Sequence, residues 1–419
     1  MPEPTRADGL NLDSIRRRTI GVLAIGQVLG GIAFGATISL GAVLAAEMSG
    51  DESLSGLAAA AVTLGAAALA VPLASLAARR GRRLSLSAGM LIALLGVGMV
   101  IVAVLLDVFP LLLLAFALIG AGQAANLQSR FAATDLATDA SRGRDLSLVV
   151  WATTIGAVLG PNLVGPGEAL GAMVGMPELT GPYLFTVAAQ LLGVALYLVA
   201  LRPDPLLLAH RLAGEASSVA RAIVRADQPT AARYAITAIA ASHGVMVAVM
   251  SMTPVHLMHH GAELSIVGLT ISLHIAGMYA LSPLFGFLAD RAGRVPTILL
   301  GQGLLTLSLI VAALGQSSTT LVTIALVLLG LGWSASTVAG SALLTESSSE
   351  SRRTQRQGRS DLAMNLVGAF GAIAAGGVLG FIGYGGLALV ALAAVAVVVV
   401  LSPAGRRSKG APLAEAAEN

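Results

Sequence analysis

Apolar residues in this chain run on without the period-two alternation of a half-buried strand. With His set aside, uncharged stretches cover 19–46, 53–78, 84–106, 108–129, 146–167, 179–201, 234–262 and 264–289. Each holds 22 to 29 residues, enough for one helix across about 30 Å of hydrocarbon, which takes about 20. Two longer stretches, 295–345 and 362–405, fit two helices each, with turns at Gly315-Gln316-Ser317-Ser318 and Gly383-Tyr384-Gly385-Gly386. Open backbone cannot lie in lipid, so twelve spans predict twelve helices. The first stretch is too long for a secretory leader, despite Arg16-Arg17-Arg18 before it and Ala45-Ala46 near its end, and reads as span 1.

Composition agrees. Of 419 residues, 56% are hydrophobic and 11% charged, and mean hydropathy is +0.85. A soluble domain is about a quarter charged. This excludes a cytosolic enzyme, a secreted domain and a disordered chain, and it argues against a β-barrel, whose strands alternate. There is no cysteine, so thiol catalysis, iron–sulfur clusters and cysteine-based zinc sites are excluded.

Charge sets the orientation. Twelve spans place both termini on one side. Arg6, Arg16, Arg17 and Arg18, the groups at 79–83, 130–144, 202–233, 291–294 and 352–359, and Arg406, Arg407 and Lys409 then share that side, which is all 25 basic residues. The opposite loops carry Glu47, Asp51, Glu52, Asp107, Glu168, Glu178 and Glu263. The basic side is therefore read as cytoplasmic, in a bacterial inner membrane. The basic balance reflects topology and anionic lipid, with no nucleic-acid partner.

The organisation expected is an N-terminal tail at 1–18, a six-helix bundle at 19–201, a linker at 202–232, a second bundle at 233–405 and a tail at 406–419. The halves echo each other. Arg79-Arg80-Gly81-Arg82 matches Asp290-Arg291-Ala292-Gly293-Arg294, Thr134-Asp135 matches Thr345-Glu346, and Gly143-Arg144-Asp145 matches Gly358-Arg359-Ser360-Asp361. The fold class is thus an all-α membrane protein of two pseudo-symmetric six-helix bundles, the plan of a rocking carrier.

The stretch Gly286-Phe287-Leu288-Ala289-Asp290-Arg291-Ala292-Gly293-Arg294 resembles the G-x-x-x-D-R-x-G-R loop of the major facilitator superfamily. Gly293 permits a tight turn, Asp290 can face a neighbouring helix N-terminus, and the arginines can pair with acids. The first-half copy keeps Arg79, Gly81, Arg82 and Arg83, but Ala78 and Ala74 replace the acid and the leading glycine, which predicts a weaker latch there. Gly156-Ala157-Val158-Leu159-Gly160-Pro161-Asn162-Leu163-Val164-Gly165 resembles the G-x-x-x-G-P-x-x-G-G signature of the superfamily's exporters, with Val164 departing from it. That resemblance implies export. The usual antiporter Arg in upper span 4 is missing, since Phe116, Leu118 and Ile119 stand there, and all 22 acids lie at span ends or in loops.

Polar residues within spans are the remaining candidates for chemistry. Gln123, Asn126 and Arg130 share one face of span 4. Gln123 and Asn126 are expected to face a cavity, with Gln27, Trp151, Asn162, Trp333 and Asn365 lining the same space. Arg130 is expected to bridge to Asp135, Glu346 or Asp361. His243 and His274 are the candidates for proton coupling. His256, His259 and His260 cluster near Glu263 and offer imidazoles for zinc or nickel, against the plainer reading of a solvated loop. No P-loop is present, and Gly120-Ala121-Gly122-Gln123-Ala124-Ala125 lies within a span, where a dinucleotide site is impossible.

The reading is a non-enzymatic, cofactor-free, monomeric secondary carrier whose partners are a small-molecule substrate, protons and the bilayer. Proton-coupled export of a small apolar or weakly charged compound is expected. A divalent-metal exporter, an importer of a small metabolite and a non-transporting sensor are the alternatives. Periplasmic reporters fused after residues 85, 220 and 355 are expected to stay silent; activity at any of these points overturns the topology.

Overall fold

The computed structural model describes residues 11–50, 54, 56–138, 140–215 and 227–405, without the side chains of 34–39, 42, 157, 158, 161, 214, 215, 264 and 265. Arg6, Asp51, Glu52, Arg221, Arg225, Arg406, Arg407, Lys409 and the side chain of Pro161 therefore lie outside the described residues. The helices are α1 (Leu12–Ser49), α2 (Gly56–Arg80), α3 (Arg82–Leu106), α4 (Phe109–Ala132), α5 (Arg142–Asn162), α6 (Val164–Met173) and α7 (Tyr183–Ala200), then a linker helix α8 (Pro205–Glu215). The second set is α9 (Pro229–His259), α10 (Leu264–Tyr279), α11 (Ser282–Ala292), α12 (Arg294–Leu314), α13 (Thr319–Glu346) and α14 (Glu350–Val400).

Nine of the described stretches are long and apolar enough to cross a bilayer. One of them, α14, is two spans, because Gly383 (φ 72°, ψ −179°) breaks it where the sequence predicts a turn. With α1 and the α5–α6 pair the chain makes twelve passages. Spans 5 and 8 are each interrupted, at Leu163 and at Ala280-Leu281. Between α2 and α3 the turn rests on Gly81 (φ 87°), and between α11 and α12 on Gly293 (φ 104°). Both values lie where a Cβ is strained.

Small residues bring the helices together. Gly65 of α2 seats against the Ala117 carbonyl of α4, and in the second half Gly277 of α10 seats against the Val327 carbonyl of α13. Lipid gives helices no hydrophobic reason to associate, so this close approach supplies dispersion contacts instead. Each bundle keeps an apolar interior: Leu40, Val97, Leu112, Phe116 and Tyr183 in the first, Leu305, Leu309, Leu326, Leu329 and Tyr384 in the second. Leu95, Leu105, Val199, Leu314 and Val400 stay exposed and form part of the lipid-facing surface.

The second bundle is pinned where it begins. Asp227 accepts hydrogen bonds from the Ser349 N–H (3.0 Å) and from both terminal nitrogens of Arg356 (2.7 and 2.8 Å), and pairs with Arg352 at 3.2 Å. Burial alone would raise the Asp227 pKa, but the Ser349 amide, Arg356 and Arg352 outweigh it and hold the carboxyl below its ordinary value. A depressed carboxyl stabilises the fold above its unfolded pKa and loses that contribution as pH falls through its folded pKa. Asp227→Asn is expected to lower the melting temperature by a few degrees at pH 7, with the deficit against wild type vanishing in acid below the folded pKa. A pH series of thermal melts checks this.

Candidate functional site

Polar groups between the bundles are arranged in tiers, beginning at the basic end. Asp290, near the end of α11, accepts from the Gly143 N–H (2.7 Å) and the Arg144 N–H (2.8 Å) at the start of α5. A carboxylate there meets two unsatisfied helix-terminal donors and the positive end of the dipole. Gly143 and Gly286 touch backbone to backbone, so neither has room for a side chain. Arg294 pairs with Asp290 and donates to Glu346 from Nε (3.1 Å) and Nη2 (2.7 Å). Glu346 also receives Arg142 Nη1 at 2.9 Å.

The other half repeats this pattern with fewer charges. Arg82, fully buried, donates to Asp135 from Nε (2.8 Å) and Nη2 (3.2 Å), and Nη2 also reaches Gln357 Oε1 at 2.7 Å. Thr134 and Thr345, equivalent residues of the two halves, meet at 3.4 Å. Gln357 stands where the other half has Arg142, and Ala78 where it has Asp290. Gly358 packs on Ala74 and the Ala70 carbonyl, in place of the Gly143–Gly286 contact. Asp204, just before α8, faces Gly81 and accepts from the Arg83 N–H at 2.8 Å, so it caps α3. The sequence reading missed Asp204, Gln357 and Arg142.

Among the loop arginines, Arg82 and Arg294 are drawn inward. Arg79 is exposed, Arg83 contributes its backbone, and Arg291 lies over the Phe287 ring at the surface.

Deeper in, Arg130 of α4 meets Asp361 of α14, Nη2 to Oδ1 at 2.5 Å, with both side chains almost wholly buried. Of the three acids considered from sequence, Asp361 is the partner. Its Oδ2 and the Arg130 Nε have no hydrogen-bond partner among the described residues. Asn365 donates to the Asp361 carbonyl at 2.8 Å, which keeps it inside the same helix.

Above this pair lies the polar stripe of α4, whose sequence equivalent lies on α13. Asn126 lies over Gly30, and Gln27 donates to the Asn126 carbonyl at 3.1 Å, which ties α1 to α4. Gln27 is thus a buried link within one bundle. The equivalents of Asn126 and Arg130 are Thr337 and Ser341, both buried with hydroxyls unpartnered among the described residues, as is Gln123 Oε1. Trp333 donates its indole N–H to His243 Nδ1 at 3.1 Å and meets Tyr279 edge to face at 5.7 Å. The sequence reading paired neither His243 with Trp333 nor Tyr279 with either. Trp151 is 41% exposed on α5, and Asn162 is exposed at that helix's end. In the α5 motif Gly156 seats on Val28 and Gly31 of α1, a packing role, and Gly160 is buried.

The other histidines are engaged. His274 is fully buried and its Nδ1 bonds the Leu326 carbonyl at 2.7 Å, which leaves Nε2 without a partner among the described residues. That bond ties the ring of α10 to the backbone of α13. A second proton on His243 would land on Nδ1 and displace the Trp333 bond. At the acidic end His256 Nε2 bonds the Gln316 carbonyl at 2.7 Å and its ring stacks on Tyr384, while His260 Nδ1 bonds the His256 carbonyl at 2.9 Å. Those contacts use one nitrogen of each of these two rings. Among the described residues no group of three or more His, Asp or Glu is gathered for a metal, His256, His259 and His260 included.

The sequence profile of the Major Facilitator Superfamily matches residues 23–268 and 235–418. The chain is 37% identical over 364 residues to the uncharacterized MFS-type transporter YddS of Bacillus subtilis, spanning 85% of this chain and 84% of that one. It is 30% identical over 360 residues to the riboflavin transporter RfnT of Brucella anthropi, spanning 83% and 85%. The crystal structure of the human organic anion transporter MFSD10 superposes with a TM-score of 0.73 at 14% identity, covering 93% of this chain and 99% of that one; that likeness is one of fold.

Asp290→Asn is expected to weaken the closed basic end by about 1–2 kcal/mol, because the amide makes poorer bonds to two helix-terminal N–H groups and to Arg294. That is a factor of roughly 5–30 in the closed-to-open ratio. Cysteines placed at Thr134 and Thr345 in this cysteine-free chain report closure by disulfide formation, and the substitution is expected to slow their cross-linking.

Proposed function

The chain belongs to the major facilitator superfamily, and starting from that membership we propose that it is a proton-coupled exporter of small, apolar or weakly charged compounds. It works by alternating access in a bacterial inner membrane, with the basic end cytoplasmic. The Arg130–Asp361 pair carries this reading. It joins the two bundles where the cytoplasmic end is closed, and its two charges have left water. Separating them without compensation costs several kcal/mol. A proton on Asp361 removes one charge and lets the bundles part on that side. Proton entry from outside, opening to the cytoplasm, proton release and re-pairing then form a cycle that moves substrate outward against the proton.

The sequence reading assigned coupling to His243 and His274. Their hydrogen bonds to Trp333 and Leu326 favour structural roles, and Asp361 replaces them as the coupling group in this proposal. Export rests on the resemblance of the α5 motif to that of superfamily exporters, supported by the seating of Gly156 on α1. A second reading, import of a small aromatic metabolite, draws on the 30% identity to a riboflavin transporter.

Asp361→Asn keeps the shape of the pair and removes its charge. Leaving Arg130 uncompensated shifts the cytoplasmic end toward opening by on the order of 3 kcal/mol. In proteoliposomes screened with a compound panel, the variant is expected to retain substrate counterflow and lose accumulation driven by a pH gradient. Full gradient-driven accumulation by Asp361→Asn removes the coupling assignment. In oriented vesicles, accumulation on the cytoplasmic side in place of extrusion selects the import reading.

A further inference from the structure

The chemistry exposed around Trp333 narrows the substrate class, an inference that rests on the transporter reading above. Trp333 is buried, and His243 Nδ1 must be an unprotonated acceptor to receive its indole N–H. The neutral His243 ring therefore carries its proton on Nε2. That atom makes no hydrogen bond among the described residues, and the residue is only partly buried. The Cδ2–Nε2 edge of the ring lies against Gly368, where a Cβ would sit 2.8 Å from Cδ2 and 2.9 Å from Nε2, so a larger residue at that position would bury the donor. On the other flank of Trp333, Tyr279 is also partly buried and its hydroxyl has no partner among the described residues. Tyr279 has no aromatic equivalent in the first bundle, where the matching residue of α2 is Ala67.

Two donors thus flank the Trp333 indole. Arg130 is near enough for its charge to act on both His243 and Tyr279. An N–H and an O–H suit an ionised oxygen. An indole met edge-on by a phenol suits a flat ring.

We propose that His243, Tyr279 and Trp333 form a subsite for a flat aromatic carboxylate, the ring lying against Trp333 and the carboxylate oxygens accepting from His243 Nε2–H and Tyr279 O–H. Arg130 keeps its bond to Asp361.

The test is isothermal titration of the purified full chain with three probes: 2-naphthoate, its neutral methyl ester, and cyclohexanecarboxylate, which keeps the charge and loses the flat ring. The naphthoate is expected to bind at least about tenfold more tightly than either analogue. Tyr279→Phe keeps the ring on Trp333 and removes one donor; it is expected to weaken naphthoate by about tenfold and leave the ester unchanged. His243→Ala is expected to do the same. Equal affinity for all three probes, absence of naphthoate binding, or a Tyr279→Phe variant that binds naphthoate like wild type overturns the subsite. The comparison of probes needs no variant, so a misfolded substitution cannot decide the outcome. Counterflow separates this inference from the reading beneath it. If panel compounds exchange and naphthoate does not, the subsite falls and the carrier stands. If nothing exchanges, the carrier reading falls as well.

Discussion

Charges buried between two helical bundles have to neutralise one another, and the basic end of this molecule is built on that constraint. Arg82, Arg130 and Arg294 are nearly or fully buried, and each meets a carboxylate. Such pairs add little net stability, because desolvation offsets most of their attraction, but breaking one by removing a partner is expensive. Their value here is conditional. They hold the bundles together only while every member is present and charged, which is the property a reversible closure requires. An apolar seam of the same area would seal as well and could not be released by a proton.

The duplicated plan shows how that constraint filters change. The seam around the second-half loop uses four charges, Asp290, Arg294 and Glu346 of that half and Arg142 of the first. The seam around the first-half loop uses two, Arg82 and Asp135. The missing acid and the missing base are Ala78 and Gln357, at the positions equivalent to Asp290 and Arg142. Loss of either alone would leave an unpaired charge in a water-poor seam; loss of both leaves a neutral one. The first half is therefore simplified as well as weaker than its twin. Asp204 does not restore the missing cap, since it binds the start of α3 and not the start of α14.

Much of this was legible in the sequence, for reasons that differ by feature. Hydrocarbon thickness fixes helix length, so uncharged runs gave the spans, and the break at Gly383 lay where glycine clustered. Asp290 could be placed at a helix N-terminus because its loop pattern is long and specific. Arg130 could be placed in a bridge, but not with its partner: the choice among Asp135, Glu346 and Asp361 depends on how two bundles meet, which no local pattern encodes. Asp204 and Asp227 sit among linker charges that look solvated. Nothing in the sequence marks Thr337 and Ser341, because a hydroxyl carries no charge to betray its direction. His256 and His260 meet ring to ring as their spacing allows, and one nitrogen of each is held by a backbone carbonyl, a contact invisible in a sequence.

The tiers also differ in symmetry, and the difference bears on which residues set specificity. The closure at the basic end is nearly two-fold, down to the Thr134–Thr345 contact. The next tier is not: the positions equivalent to Arg130 and Asp361 are Ser341 and Leu146, so this pair has no twin. The aromatic tier is one-sided again, with Tyr279 facing Trp333 in one bundle and Ala67 at the matching place in the other. A rocking motion needs both halves to bend alike, which keeps the closure paired. A cargo is not two-fold, and neither is a proton's path, so chemistry that recognises either is free to depart from symmetry and gains by doing so. In a duplicated carrier, departure from the repeat is then a physical pointer to the groups that read the cargo and the ion, and here it singles out Arg130, Asp361, Trp333, His243 and Tyr279.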